Sequence, residues 1–356
     1  MQTTRTGFAG LSPIVARLVL AVFLAITVLL LVLALQTDVT ELPPVDPNRH
    51  GDLETYANVV TRLQHGEPYY QALHAELLSG GYGTTSIFNW RPPFYLTLVS
   101  WFPNEIWASL ALGVLAVAAA AMAIVLVRRE GTRAMALGIV LLLGLSLLSV
   151  LVPHAVLACE LAAGSLTLLS VSAYGLKLRW LGMATAMLAL LCREIAGVYV
   201  LVCVVLAVRE RRWREVAVWG VALAAFALYF AWHAHTAMSL LGPADRAYKD
   251  GWLQLGGAAF LLGASTFNGI FLVLPGWATA LFLPLALLGI LGSPVASMRR
   301  IGLTLLGYFV LFAFFGKAVN LYWGGLYTPL LAFGGVWAIP ALVDLARQAG
   351  GRRLAA

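Results

Sequence analysis

The sequence predicts an all-α integral membrane protein of about ten transmembrane helices, with juxtamembrane helices in one large first loop outside the cytoplasm. Three observations predict it. Of the 356 residues, 61% are hydrophobic and only 11% are Asp, Glu, Lys or Arg, whereas a soluble domain carries about 25% charged residues. The apolar residues fall in long runs, and a helix crosses a bilayer with about 20 mostly apolar residues. The charges crowd between those runs, with basic clusters at alternate ends, and basic residues beside spans stay on the cytoplasmic side.

The first apolar run, 14–35, is longer than the 7–15 residues of a signal-peptide core. It reads as an uncleaved anchor with Arg5 and Arg17 on its cytoplasmic side. The loop at 36–92 holds seven acidic residues (Asp38, Glu41, Asp46, Asp52, Glu54, Glu67 and Glu76) against three basic ones (Arg49, Arg62 and Arg91), so it faces outside. Within it, Leu53, Tyr56, Val60 and Leu63 recur at intervals of three and four. That is the stripe of a helix over 52–64 lying along the membrane surface. Residues 93–102 are apolar but too short to span, and the Pro92-Pro93 pair opens a second juxtamembrane helix there. The extracytoplasmic segment thus runs over 36–104.

Spans follow at 105–127, closed by Arg128-Arg129, then at 134–152 and 155–175, with Pro153-His154 between the last two and Lys177 and Arg179 beyond. In 180–208, two apolar stretches flank Arg193-Glu194, each too short to cross alone. They read as two short helices meeting at a polar turn on the outer side; one long helix with a buried ion pair is the alternative. Arg209–Arg214 lie inside. A span at 215–236, an outer loop at 237–252, a glycine-rich interfacial stretch at 253–270 and spans at 271–292, 301–316 and 321–343 complete the chain, and both termini come out cytoplasmic. On this topology 16 of the 23 basic residues fall inside, and 12 of the 16 acidic ones fall outside or within the membrane. With no internal repeat, low-complexity tract or polar linker, 1–356 reads as a single domain.

The net charge of +7 therefore reports topology. No nucleic-acid partner is expected, and contact with membrane lipids is secondary. Cys159, Cys192 and Cys203 lie in apolar segments and form no C-x-x-C pair, so neither a disulfide framework nor a zinc site is expected. An ionisable residue at membrane depth costs at least about 2.5–3.5 kcal/mol and marks a functional site by default. Glu160, Arg193 and Glu194 meet that test, and Lys317 and His154 lie near span ends. All five fall on the same outer half as the acidic loop.

The stretch from Gly51 to Tyr70, GDLETYANVVTRLQHGEPYY, resembles the first extracytoplasmic loop of the GT-C glycosyltransferases, above all the bacterial branch of polyprenyl-phosphate-mannose-dependent mannosyltransferases. The matching residues are Asp52, Tyr56, Gly66, Pro68 and Tyr69. Trp90-Arg91-Pro92-Pro93-Phe94-Tyr95 resembles the family's aromatic-x-Pro-Pro element, and the short-helix pair around Arg193-Glu194 is similar to its paired short spans with a polar hinge. The resemblance covers 14–215 in order; beyond it only a Tyr-Pro element, Tyr327 to Pro329, is shared.

The resemblance implies a sugar donor on polyprenyl phosphate and transfer with inversion on the outer face to a glycan, lipid or protein acceptor. An acceptor hydroxyl then needs a base, and the leaving phosphate needs positive charge. Asp52 is the expected base, with Glu54 completing a D-x-E pair. Arg193 is the expected phosphate partner, with Arg91 and Lys317 as alternatives. Tyr56, Tyr69, Trp90, Glu160 and Glu194 are expected at the substrate. No cofactor is expected; a divalent ion on the D-x-E pair is conceivable but not predicted.

Each residue also has a structural reading. Asp52 follows Gly51 at a helix start and suits an N-cap, with Glu54 favouring the dipole. Arg193 and Glu194 could neutralise each other at a hinge. Trp90 to Tyr95, Tyr69, Tyr70 and Trp101 suit an interfacial aromatic belt, and His233 and His235 suit an interface. The rival functions are a transporter or flippase of a lipid-linked substrate, and a non-catalytic subunit of a glycan-assembly complex. No repeat of the kind transporters show is present.

Overall fold

The computed structural model describes residues 5–37, 50–247 and 253–351. These form fourteen α-helices joined by turns and short 3-10 segments, with no strand among the described residues. They are α1 (Pro13–Gln36), α2 (Asp52–Gln64), α3 (Tyr69–Ser79), α4 (Pro93–Ser100), α5 (Glu105–Glu130), α6 (Arg133–Ser146), α7 (Cys159–Gly175), α8 (Arg179–Cys192), α9 (Gly197–Arg209), α10 (Trp213–Met238), α11 (Gly257–Ser265), α12 (Gly276–Gly292), α13 (Ala296–Phe315) and α14 (Thr328–Ala349). Six stretches are long and apolar enough to cross a membrane: α1, α5, α6 with its continuation to Leu151, α10, α13 and α14. The chain is an all-α protein suited to a membrane. The acidic residues Asp38, Glu41 and Asp46, with Arg49, lie outside the described residues.

Local chemistry sets the helix starts. Ser12 accepts a bond from the Val15 amide ahead of Pro13, Asn104 accepts from the Ile106 and Trp107 amides, and Thr132 accepts from Met135. Each side-chain oxygen satisfies donors that the first turn leaves unpaired. The predicted helix at 52–64 and the short helix after Pro92 both form, and 180–208 is two short helices broken at Arg193, which is extended at φ −151° and ψ 115°.

Several boundaries differ. The stretch at 134–152 leaves α-geometry after Ser146 and ends in 3-10 turns, and 155–175 begins with a 3-10 turn ahead of α7. The segment at 271–292 is cut by Pro275, which is the N-cap of α12. The segment at 321–343 is not one helix: Ala318–Leu326 is a kinked 3-10 segment, and α14 starts only at Thr328, with Pro329 in its first turn. Residues 253–270 are not simply an interfacial stretch, because α11 is drawn into the bundle with Phe260, Leu262, Gly263, Ala264 and Ser265 buried. Helix α3 was not anticipated.

Helix α7 forms the centre. All of its residues except Leu169 and Gly175 are buried, although it carries Ser165, Thr167, Ser170 and Ser172 on several faces. A helix that polar belongs among other helices, where small side chains allow close approach. Helices α1 and α10 are the least covered of the long ones and line the outside. Polar contacts gather at two opposite ends of the bundle. One end holds Thr6 with Asp344 at 2.8 Å, Ser297 with Glu130 at 2.7 Å and Arg299 with Glu210 at 2.7 Å. The other holds the start of α2 and the junction of α8 with α9.

Candidate functional site

Asp52 is the first residue of α2, and Gly51, not Asp52, occupies the N-cap with no side-chain bond. The capping role is therefore not used. The Asp52 carboxylate turns to the protein instead: Oδ1 accepts from the Tyr82 hydroxyl at 2.6 Å and Oδ2 from the Tyr322 hydroxyl at 2.6 Å. Tyr322 sits in the 3-10 segment before α14, 270 residues away along the chain. Burial raises the Tyr322 and Tyr56 hydroxyls well above the ordinary value. Both stay protonated, so Tyr322 serves as a donor.

Arg91 lies on the turn that leads into α4, and its backbone is pinned on three sides. Its carbonyl accepts from the Tyr69 hydroxyl at 2.7 Å. The preceding Trp90 gives its indole N–H to the Thr84 carbonyl at 2.8 Å, and the Trp90 carbonyl lies 3.3 Å from His233 Nε2. The Arg91 guanidinium donates to the Tyr322 hydroxyl at 3.3 Å. It stands 4.0 Å from Glu160 and 3.9 Å from Glu194, above the Tyr56 ring at 5.7 Å. Burial works against its charge, but the nearby Glu160 carboxylate outweighs that and holds the group cationic.

Arg193 fills the break between α8 and α9. Its Nε lies 2.7 Å from Glu160 Oε1 and its Nη1 bonds Glu194, with the guanidinium over the Trp323 ring at 5.6 Å. Asp52, Arg91, Glu160, Arg193 and Glu194 thus form one connected polar cluster, contributed by α2, the turn before α4, α7 and the α8–α9 break. Two guanidinium groups meet two carboxylates, and the third, Asp52, joins through the Tyr322 hydroxyl. A buried charge set like this holds only when the charges pair and hydrogen-bond.

The other expected residues fall as follows. Arg193 is 1% exposed and engaged by both glutamates, while the Arg91 side chain is 10% exposed and that of Glu194 19%. Of the two arginines, Arg91 stands farther from its carboxylates, at 3.9 and 4.0 Å, so a phosphate can approach it without parting a close ion pair. Tyr56 and Tyr69 frame Arg91. Trp90 is buried, and His74 stacks on its ring at 5.3 Å, so it positions Arg91 from behind. Glu54 is exposed and points away from Asp52, as neighbours two apart on a helix do. Lys317 immediately precedes the segment that carries Tyr322 and Trp323. His154 pairs with Glu105 at 2.9 Å on the surface, outside the cluster.

Tyr82, Tyr322 and Trp323 were not anticipated, and neither was the burial of His233, which is fully enclosed and lies 3.1 Å from the Tyr70 hydroxyl. The Tyr322-Trp323 pair carries one sequence signal. It stands between Gly316 and Gly324-Gly325, ahead of Pro329, a glycine and proline frame that argues against a continuous span. The Trp90 turn is also held from above. The Thr84 amide donates to the Arg246 carbonyl at 2.9 Å, and His74 meets Asp245 at 2.8 Å, so the loop after α10 straps the segment that presents Arg91.

Some polar valence in the cluster is not taken by the protein. Arg91 Nε, Glu194 Oε2 and Trp323 Nε1 are buried without a hydrogen-bond partner among the described residues. Each such atom costs about 1–3 kcal/mol when it stays unpaired, and that cost is recovered where a ligand supplies the partner. Among the described residues no three His, Cys, Asp or Glu side chains gather as metal ligands would. The arrangement offers a carboxylate held by two hydroxyl donors beside a guanidinium: a proton acceptor next to a site for anionic oxygen. The chain matches no family model, no curated protein and no solved structure.

Proposed function

We propose that this protein is a membrane glycosyltransferase of the GT-C type, moving a sugar from a polyprenyl-phosphate donor to an acceptor outside the cytoplasm. Mannose is the sugar that the resemblance favours, and a glycan, lipid or protein hydroxyl is the acceptor. One observation carries this reading: Asp52 and Arg91, far apart in role and both expected from the sequence motif, are joined through the single hydroxyl of Tyr322 at 2.6 and 3.3 Å. In this reading the chain crosses the membrane ten times. The crossings are the six long stretches together with α7, α8, α9 and α12, the loop 36–104 is outside and both termini are in the cytoplasm.

The acceptor oxygen attacks the anomeric carbon as Asp52 takes its proton. The bond from that carbon to the phosphate oxygen breaks, and its electron pair leaves with the polyprenyl phosphate, inverting the centre. Each Asp52 oxygen accepts one tyrosine bond and has a second lone pair for the incoming proton. Arg91 stabilises the charge that develops on the phosphate, and the Glu160–Arg193–Glu194 set holds Arg91 in register without neutralising it by close contact.

The test is transfer from labelled polyprenyl-phosphate sugars to a cell-envelope extract by the purified protein. Asp52→Asn is expected to insert and fold normally yet lose about 10²- to 10⁴-fold in rate, the usual loss for a general base. Glu54→Gln is expected to stay near wild type. Full transfer by Asp52→Asn at normal expression would remove Asp52 as the base. Absence of transfer from every labelled donor would return the protein to the transporter class.

A further inference from the structure

At the end of the bundle opposite Asp52, two turns of the same design lie side by side. Helix α7 is capped by Leu176 and reverses through Lys177 (φ 68°) into α8, and α9 is capped by Glu210 and reverses through Arg211 (φ 53°) into α10. In each turn the next residue closes a bond back into the preceding helix, from Leu178 to Ala173 at 2.8 Å and from Arg212 to Ala207 at 2.9 Å. The two following helices begin with the same residue types, Arg179-Trp180 in α8 and Trp213-Arg214 in α10. Between them opens a cleft of about 500 Å³, lined by Arg179, Trp180, Arg211, Trp213 and Arg214 with the Arg212–Glu215 pair on its floor.

The charges in this cleft run against the local preference of the backbone. A helix N-terminus carries partial positive charge and favours acidic residues, yet α8 opens on Arg179 with no acidic residue in its first turn, and α10 sets Arg214 beside Glu215 in its own. Arg212 is answered by Glu210 and Glu215. Arg179, Arg211 and Arg214 make no ion pair among the described residues. Trp180 and Trp213 are each 62% exposed and flank the arginines at the ends of apolar helices, where such rings sit at headgroup depth. Three uncompensated guanidinium groups and two helix N-termini exceed what a single phosphate charge balances.

We infer that the Arg179–Trp180/Arg211–Arg214 cleft is a binding site for the headgroup of an anionic membrane lipid carrying two phosphates. The guanidinium forks take the phosphate oxygens, and the two tryptophans border the glycerol and upper acyl region. The assignment is independent of the proposed transferase reaction. Helix α8 has 14 residues, which sets its two ends about 20 Å apart, so the lipid in this cleft is not the sugar donor at Asp52.

The test uses the full chain in nanodiscs of phosphatidylcholine, titrated with cardiolipin, phosphatidylglycerol or inorganic phosphate, and bound lipid is read by native mass spectrometry together with the thermal midpoint. Cardiolipin is expected to bind one per chain and to raise the midpoint, with phosphatidylglycerol weaker. Arg179→Gln with Arg214→Gln is expected to weaken cardiolipin roughly 30-fold, whereas Arg179→Lys with Arg214→Lys should keep most of the affinity. The Gln variant relieves the clash with the helix dipoles, so its lipid-free midpoint should not fall. Equal cardiolipin binding by wild type and the Gln variant would overturn the assignment. So would saturation by inorganic phosphate alone, or binding no tighter than that of phosphatidylglycerol.

Discussion

A carboxylate that accepts two tyrosine hydroxyls at 2.6 Å is held in one orientation more firmly than a capping residue would be. Tyr322 has a further duty, since it also takes a bond from Arg91 and so fixes the spacing of the proposed base and the proposed phosphate partner. Tyr322→Phe removes both bonds and leaves the ring packing in place. A hydrogen bond to a charged group is worth about 1.5–3 kcal/mol, so turnover should fall about ten- to a hundredfold while the protein stays folded. Tyr82→Phe removes a bond to Asp52 but leaves Arg91 untouched, and should spare donor affinity. Steady-state rates against donor concentration distinguish the two variants. An unchanged donor dependence in Tyr322→Phe would show that Arg91 is not positioned through this hydroxyl. Glu54, two residues from Asp52, is solvent-facing and outside the cluster, so spacing within the motif did not decide which acid joins it.

At the scale of the elements, the break between α8 and α9 depends on Arg193. Its guanidinium is buried between Glu160 and Glu194, and removing it leaves two carboxylates with only the looser Arg91 contacts at 3.9 and 4.0 Å. Breaking a buried pair from one side costs about 3–5 kcal/mol. Arg193→Ala should therefore lower thermal stability by that amount as well as activity, and Arg193→Lys should restore stability only in part because a point charge cannot serve both glutamates at once. Loss of activity in Arg193→Ala with the midpoint unchanged would mean a direct role at the donor instead. The strap from the loop after α10 is expected to respond to acid. Burial raises the Asp245 carboxyl, but bonds from Thr84, the Gly242 amide and His74 outweigh it and hold the group below its ordinary 3.8. A depressed carboxyl contributes its stability above the ordinary value and loses it as the pH falls through the lower folded value. Hydrogen exchange at the Gly242 and Thr84 amides should accordingly quicken below pH 3.8. Asp245→Asn should remove that acid-side change; exchange in wild type that stays flat with pH would dismiss the strap as a charge-dependent contact.

Across the whole molecule, polar side chains collect at two ends, and the basic excess belongs to one of them. The end with Arg299, Arg212 and Arg17 faces the cytoplasm in the proposed topology, and the end with Asp52 faces away from it. Cysteine labels at positions within 50–92 should react with an impermeant reagent on intact cells, and labels beside Arg211 should react only after permeabilisation. Protection of the first loop would place the cluster in the wrong compartment for an outer-face donor and reject the transferase reading as well as the orientation.

The sequence by itself determined that the chain is helical and suited to a membrane, because composition and the length of apolar runs answer to the bilayer rather than to packing. It also determined the helix at 52–64, the helix opened by Pro92-Pro93 and the break at Arg193, each a local consequence of periodicity, proline geometry or a charge amid apolar residues. Only the tertiary structure decided which polar groups meet. Tyr322 reaches Asp52 across 270 residues, since the segment that carries it packs on α7 so closely that a Cβ on Gly164 would lie 1.9 Å from the Gly325 carbonyl oxygen. No pattern of neighbouring residues encodes a contact made by the close approach of two backbones from different parts of the chain. The same reason hid the burial of His233 and the pairing of the two arginine turns: helix ends report their own caps and charges, while their partners are chosen by how the bundle closes.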